Sequence, residues 1–285
     1  MTVKIVTDST SDITASLAHE LGIAVVPLTV FFGRESFLDR VDITTDEFYR
    51  RLTQENIYPT TTQPAPGVFA DVYQKLLKDN DEILTIVLSS KLSGTYGSAV
   101  NAVSMVEGKS RIEVIDSQLT AMSLGLTVIS AAKTASQKGI TLKEVSESVK
   151  AKLSRTNTIM AFDTLKYLAK GGRIGKAQGL LGSLLAVKPV LTLKDGEVSP
   201  LTRLRSMGAA ADYLYNHIAS MPRVEALAVE HATTPHAADV LVARLGAIYP
   251  KENIYRSVVS PVLGTYMGPN VLAVSFIEGS KGDRL

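Results

Sequence analysis

The feature that most constrains the fold is a regular alternation of short apolar segments with longer segments of helical character. Apolar runs such as Val3–Val6 and Ile83–Leu88 predict buried strands, and each ends in a polar turn that can cap a helix. Strands separated by helices are typical of parallel α/β layers. The first half of the chain is therefore predicted to form a parallel α/β arrangement.

The second half repeats this alternation and adds a hairpin signal. Asp195-Gly196 stands between two predicted strands, and Asp-Gly is a strong two-residue hairpin turn. An antiparallel hairpin favours an α+β arrangement. The sequence thus predicts an α/β protein of two domains, with a parallel α/β domain over residues 1–157 and an α+β domain over residues 158–285.

Four segments receive more detailed predictions. The run Ile23–Phe32 is predicted to be one strand, and residues 175–185 are predicted to be helical. The Thr/Pro-rich segment 55–67 is predicted to be a loop that ends at a helix with Pro66 in its first turn. Ser260–Pro269 contains two glycines and two prolines, which predicts a loop with a fixed backbone path.

Composition excludes several functional classes. The 285 residues include no cysteine, which excludes disulfides, thiolate metal sites and a cysteine nucleophile. Lys and Arg number 30 against 28 Asp and Glu, without a basic stripe, so no nucleic-acid partner is expected. The longest apolar stretches are well short of the roughly 20 residues that span a bilayer. With no export signal, a cytoplasmic location and at most transient membrane contact are expected.

A Ser/Gly turn follows one of the apolar runs. In Leu88–Tyr96 a strand ends, Ser93 and Gly94 form the turn, and a helix is predicted to begin. Ligands bind at this edge of open α/β sheets, and the free amides of a helix amino terminus favour an anion. Ser93 adds a hydroxyl, and Gly94 lets a ligand approach the backbone. Alternatively Ser93 caps the helix, and the two roles are compatible.

Other candidate residues carry weaker signals. Thr60–Pro64 supplies hydroxyls and an amide, or is a polar connector. Lys170–Lys176 does not match a phosphate-binding P-loop, yet it can present Arg173 to a phosphate. Tyr266 is either a donor or an ordinary half-buried tyrosine. No histidine pair has metal-binding spacing and no GxSxG elbow is present, so neither a metal site nor a hydrolase triad is predicted.

Seven segments stand in an order that a known family shares and extend over nearly the whole chain. They are Val6–Asp12, Thr61–Pro64, Leu88–Tyr96, Val114–Ser117, Lys170–Ile174, Lys188-Pro189 and Gly264–Pro269. Together they resemble the DegV family, the fatty-acid-binding subunits of bacterial fatty acid kinase. The run Ser-Ser-Lys-Leu-Ser-Gly-Thr-Tyr is specific, whereas each of the other segments is weak alone.

The resemblance implies a DegV-like fold with one long-chain fatty acid buried between two domains. It implies that Ser93 and Thr62, with Thr61 and Gly94 beside them, hold the carboxylate. A separate kinase subunit, which would bind ATP and Mg²⁺, would form the acyl phosphate for lipid synthesis. This chain would then be non-catalytic and need no cofactor. Residues expected to contact the phosphate or the partner are Arg173, Arg203 and Arg205.

The chain departs from the family pattern at Tyr266, where the family commonly has histidine. Tyrosine still donates a hydrogen bond, but it does not become cationic near neutral pH. Two other functions therefore stay open: a binding module for a lipid or small acid without a kinase partner, and an esterase using Ser93. Apolar segments expected to line the acyl tunnel are Gly179–Val187 and Ile159–Phe162.

Overall fold

A computed structural model describes residues 2–78, 82–107, 111–183 and 187–280, without the side chains of 181–183. A four-stranded parallel sheet is built from the first half of the chain. Its strands are β1 (Val3–Asp8), β2 (Ala24–Val26), β6 (Glu82–Val87) and β7 (Ile112–Asp116), in the order β2-β1-β6-β7. The helices of this half are α1 (Ala15–Glu20), α2 (Thr45–Gln54), α3 (Pro66–Leu77), α4 (Thr95–Val103), α5 (Ala121–Ala135) and α6 (Leu142–Leu153).

A six-stranded sheet is built from the second half. Its strands are β8 (Thr156–Phe162), β9 (Lys188–Lys194), β10 (Glu197–Leu204), β11 (Val224–His231), β12 (Ile254–Val258) and β13 (Val271–Glu278). The order is β10-β9-β8-β13-β11-β12, and every pair except β11-β12 is antiparallel. The α helices of this half are α7 (Lys166–Lys170), α8 (Met207–Ala219), α9 (Pro235–Leu245) and α10 (Pro261–Met267).

A small antiparallel sheet corrects the prediction of one strand over Ile23–Phe32. After β2 the chain passes Pro27 and enters β3 (Thr29–Phe32), which pairs with β4 (Glu35–Leu38) and β5 (Thr60–Thr62). Proline has no N–H for a sheet ladder, so the apolar run divides there between two sheets. Apolar character alone does not reveal such a division.

Helix α5 lies between the parallel sheet and the six-stranded sheet. It contacts β1 on one side and β11 and β13 on the other, and eleven of its residues are buried. Small side chains make this possible: a Cβ on Gly125 would lie 2.4 Å from the carbonyl oxygen of Ser11. Within the described ranges, no helix combines the length and the hydropathy that a bilayer crossing requires.

The remaining predictions divide into confirmed and corrected ones. Asp195 and Gly196 have φ of 54° and 78°, as a tight hairpin turn requires, so the predicted hairpin is confirmed. Residues Gly175–Ser183 are helical as predicted, in the 3₁₀ form, whereas Ser260–Pro269 contains helix α10 rather than only loop. The predicted domain boundary at 157/158 falls inside β8, and the division into two domains stays a prediction.

Candidate functional site: a cavity with a hydroxyl-lined end

A cavity lies where the carboxyl end of the parallel sheet faces the six-stranded sheet and α10. Its empty volume is about 680 Å³, including its opening to solvent, and eleven of its eighteen lining residues are apolar. Apolar side chains from several elements meet there, among them Leu28, Met160, Phe162, Leu193 and Leu263. In β8, Met160 and Phe162 face the cavity, whereas the alternate residues Ile159 and Ala161 pack against another cluster.

Hydroxyl and cationic groups meet at one part of this cavity. The Thr61 and Tyr266 hydroxyl oxygens lie 2.5 Å apart, in a hydrogen bond where either can donate. Arg173 places its guanidinium carbon 5.0 Å from the centre of the Tyr266 ring. Ser93 and Gln63 line the same cavity. We call Thr61, Ser93, Tyr266 and Arg173 the hydroxyl end; three hydroxyls and one cation can hold a carboxylate.

The turn after β6 positions Ser93. Its N–H donates to the Ser89 carbonyl at 3.2 Å, and the Ser89 hydroxyl donates to the Gly196 carbonyl in the β9–β10 hairpin at 2.7 Å. The Ser93 hydroxyl oxygen accepts the Thr95 N–H at 3.3 Å, at the start of α4. Gly94 rather than Ser93 is the N-cap residue of α4 and no side-chain cap hydrogen bond is present, so Ser93 lines the cavity without capping the helix as predicted.

Strand alternation separates Thr61 from Thr62. Residues Thr60–Thr62 form β5 within the segment predicted as a loop, and successive side chains of a strand point to opposite faces. Thr61 is half-buried and reaches the cavity. Thr62 is exposed and lines a shallow surface pocket with Pro27 and Leu38 instead. The position that the family resemblance favoured for carboxylate binding thus lies outside the cavity, and its neighbour Thr61 lies inside.

Helix α10 carries Tyr266 and a wall of the cavity. Val262, Leu263, Tyr266 and Met267 all line the cavity, because residues three and four apart share a helix face. Two close approaches fix the helix. A Cβ on Gly171 would lie 2.3 Å from Tyr266 Cδ1, and a Cβ on Gly264 would lie 2.6 Å from Phe48 Cε1. Glycine in these two places lets the Tyr266 ring and α2 pack directly against backbone.

A second pocket lies on the outer side of the hydroxyl end. It shares Thr61, Tyr266 and Arg173 with the cavity and adds Tyr58 and Lys170. Arg173 donates to the carbonyls of Leu92 and Gly171, and the Lys170 ammonium lies 3.3 Å from the centre of the Tyr58 ring. Neither cation forms an ion pair within the part of the chain that the structure describes. The outer pocket is therefore positively charged where it meets the cavity.

Other predicted site residues lie elsewhere. Arg203 and Arg205 do not line the cavity. Val198 of β10 does line it, and Arg203 lies five positions further along the same strand, a distance of about 16 Å. Gly94 does not line it either, but a Cβ there would lie 2.6 Å from the Gln63 amide nitrogen. In the apolar segment 179–187, residues 184–186 and the side chains of 181–183 lie outside the described residues, so its contribution stays a prediction.

A cluster of buried acidic groups beside the cavity escaped sequence analysis. Asp12, Asp39 and Glu230 are at most 2% exposed, with Arg40 and the buried Tyr49 nearby. Burial raises the pKa of Asp12 to about 6 and that of Asp39 to about 7, although Arg40 opposes both shifts. The only sequence signal was the acidic turn after β1, which was interpreted as helix capping. No group of three or more metal-ligating side chains with a geometry suited to an ion was found among the described residues.

Comparison with known proteins identifies the class that this fold and site define. Residues 2–279 match a family described as "Uncharacterised protein, DegV family". A DegV domain-containing protein of Caldanaerobacter subterraneus subsp. tengcongensis is 39% identical over 280 residues, covering 97% of this chain and 99% of that protein. The chain therefore belongs to the DegV family, and the resemblance in its motifs is confirmed.

Two solved structures of similar proteins share the fold. The first is a structure from Thermus thermophilus that is described as showing fatty acid binding of a DegV family protein. It matches this chain with a TM-score of 0.90 and 31% sequence identity, and the match covers 98% of this chain and 100% of that chain. The other is DegV, a fatty acid binding protein from Bacillus subtilis, with a TM-score of 0.88, 29% identity and the same coverage. The predicted α/β, DegV-like fold is confirmed.

Proposed function

We propose that this protein binds one long-chain fatty acid with its carboxylate at the hydroxyl end and its acyl chain in the apolar cavity. The observation that carries the proposal is the cavity itself, where most lining residues are apolar, the Thr61 and Tyr266 hydroxyls hydrogen-bond to each other, and Ser93 lines the same space. The fatty-acid binding described for the Thermus and Bacillus relatives supports the same ligand class.

The physical roles of the two parts differ. Each buried methylene contributes about 0.8 kcal/mol, so a long acyl chain supplies most of the affinity. A hydrogen bond to a charged group contributes about 1.5–3 kcal/mol, and its direction fixes where the carboxylate lies. Tyr266 donates without carrying charge, while Arg173 beside its ring supplies the positive charge.

The bound carboxylate would be the acceptor in a reaction catalysed by a separate kinase subunit, so this chain is itself non-catalytic. A carboxylate oxygen attacks the γ-phosphorus of ATP, the bond from that phosphorus to its bridging oxygen breaks, and ADP leaves. ATP and Mg²⁺ belong to the kinase, and the acyl phosphate would enter phospholipid synthesis in the cytoplasm. The positive outer pocket with Lys170 and Arg173 supports an approach of phosphate there, and Arg203 and Arg205 remain candidates for partner contact at a distance.

Lipid analysis of the purified protein tests the binding proposal. Denaturing mass spectrometry of an organic extract is expected to show a stoichiometric fatty acid, and delipidated protein is expected to bind palmitate or oleate. Absence of any lipid together with no binding of either acid would refute the proposal. Phosphorylation of the bound acid by a cognate kinase subunit and ATP tests the second step separately.

Tyr266 favours one other function, a lipid-binding module without a kinase partner. If the native protein binds fatty acid but supports no phosphorylation, and Tyr266→His restores it, this second function is favoured. An esterase that uses Ser93 receives no support, because no histidine lines the described cavity to act as its base.

A further inference from the structure

The segment that leads into α10 is held from another part of the chain. The Asp12 carbonyl accepts a hydrogen bond from the Ser257 hydroxyl at 2.5 Å, and the two Asp12 carboxylate oxygens accept the Ser260 N–H at 3.3 and 3.4 Å. The Tyr49 hydroxyl donates to the Val259 carbonyl at 3.0 Å. Three of the four residues before α10 are thus bonded to buried groups, and Asp12 makes two of these contacts.

Asp12 is in an unusual conformation for this task. It is fully buried and has φ of 52°, in the left-handed region that a non-glycine residue rarely adopts. Such strain persists only where the surroundings determine it, and it is concentrated at functional sites. Strain, burial and two contacts to one segment indicate a role beyond capping the turn after β1.

The titratable and charged groups that face Asp12 come from two other regions. Glu230 of β11 interacts electrostatically with Asp12, while Arg40, Asp39 and Tyr49 approach from α2 and the loop before it. Burial raises the pKa of Asp12 to about 6, and burial together with the Asp12 charge raises that of Glu230 well above its ordinary value. The Glu230 carboxyl is therefore harder to ionise than that of Asp12.

The contact at the start of α10 reaches the hydroxyl end through the helix itself. Ser260 precedes the first helical residue, and Tyr266 lies six positions further, which is about 9 Å at 1.5 Å per residue. The same helix contributes Val262, Leu263 and Met267 to the cavity wall. A change in how α10 begins therefore moves the Tyr266 hydroxyl relative to Ser93, which stands on a different element.

From these contacts we infer that Asp12 is a positioning residue for fatty-acid binding: by holding the Ser260 N–H, it sets the place of α10 and so of Tyr266 at the hydroxyl end. The inference rests on the proposed function, because Tyr266 is assigned there to the carboxylate. Asp12 does not line the cavity and acts only through the helix.

A double-mutant cycle on delipidated full-length protein tests this role. Asp12→Asn keeps an oxygen that can accept the Ser260 N–H but removes its charge, and it is expected to weaken palmitate binding about tenfold. Most of this loss should disappear in a Tyr266→Phe background, because the hydroxyl that Asp12 positions is then absent. In a Ser93→Ala background the full loss should remain, since Ser93 stands outside α10.

A second variant removes the same contact from the other side. Ser260 has φ of −62°, which proline adopts, so Ser260→Pro removes the N–H donor without forcing a new backbone angle. Ser260→Pro is expected to weaken palmitate binding as much as Asp12→Asn. It also keeps the role of the contact testable if the Asp12→Asn protein does not fold. Losses below twofold for both variants, or equal losses in the Tyr266→Phe and Ser93→Ala backgrounds, would overturn the inference.

The pH profile separates positioning from a general effect on folding. Protonation of the ligand affects both proteins equally, so it cancels in the ratio of wild-type affinity to Asp12→Asn affinity. This ratio should approach one as the pH falls below about 6, because Asp12 then becomes neutral. Because the folded pKa is raised, wild-type stability falls as pH rises from about 4 through 6, and Asp12→Asn should lack this step. If wild-type protein binds no fatty acid at any pH, the proposed function fails instead.

Discussion

The apolar walls and the hydroxyl end of the cavity are built in opposite ways. The walls draw residues from the six-stranded sheet, from the segments that follow the parallel strands and from α10, so no single side chain determines them. The hydroxyl end depends on a few groups whose places are fixed by close contacts, such as the Tyr266 ring against Gly171. The walls are therefore suited to supply affinity by area, and the hydroxyl end to supply position. Changes to the ligand chain and changes to the hydroxyl end should therefore affect binding separately.

The largest effect is expected from the ligand chain. Shortening a saturated acid from sixteen to twelve carbons removes four methylenes, or about 3 kcal/mol and on the order of 100-fold in affinity. Titration calorimetry with the delipidated protein measures this slope. A fatty alcohol series is the matched control: it should show the same slope with weaker binding throughout. A slope near zero for the acids would contradict an apolar contribution from the walls.

A smaller effect is expected from the hydroxyl end. Ser93→Ala should weaken palmitate binding about tenfold, because it removes a hydrogen bond to a charged group. The dependence on chain length should stay unchanged. Ser90→Ala is the matched control, since Ser90 lies in the same turn but its hydroxyl donates to Asp116 at 2.5 Å. Equal affinities for the Ser93→Ala and wild-type proteins would remove Ser93 from the site.

Sequence patterns predicted the order of strands and helices because the formation of each element depends mainly on residues that are close to one another along the chain. The Asp195-Gly196 turn and the helix start at Pro66 need only local backbone preferences, and both are found. The division at Pro27 follows from the missing N–H of proline, which the apolar pattern alone does not reveal. Helix α10 does have a local start signal, Ser260 followed by Pro261, but the Asp12 carboxylate that accepts the Ser260 N–H lies almost 250 positions away.

Candidate site residues were predicted as far as motifs specify them. Ser93, Thr61, Tyr266 and Arg173 all meet at the cavity, whereas Arg203 and Arg205 lie away from it. The acidic groups around Asp12 were missed because acidic residues are usually exposed, and their burial depends on three separate elements. Motif resemblance identified which residues matter without saying which face of an element each one occupies.

Thr61 and Thr62 show this limit most directly, and they provide the smallest expected effect. Thr61→Val should weaken palmitate binding about fivefold, because its hydroxyl is lost from the hydroxyl end. Thr62→Val makes the same chemical change one position along β5 but on the exposed face, so affinity should stay within about twofold of wild type. The shape and β-preference of the two variants match, so the pair isolates one hydroxyl by its direction. A larger loss for Thr62→Val than for Thr61→Val would place the carboxylate on the other side of β5 and contradict the proposed site.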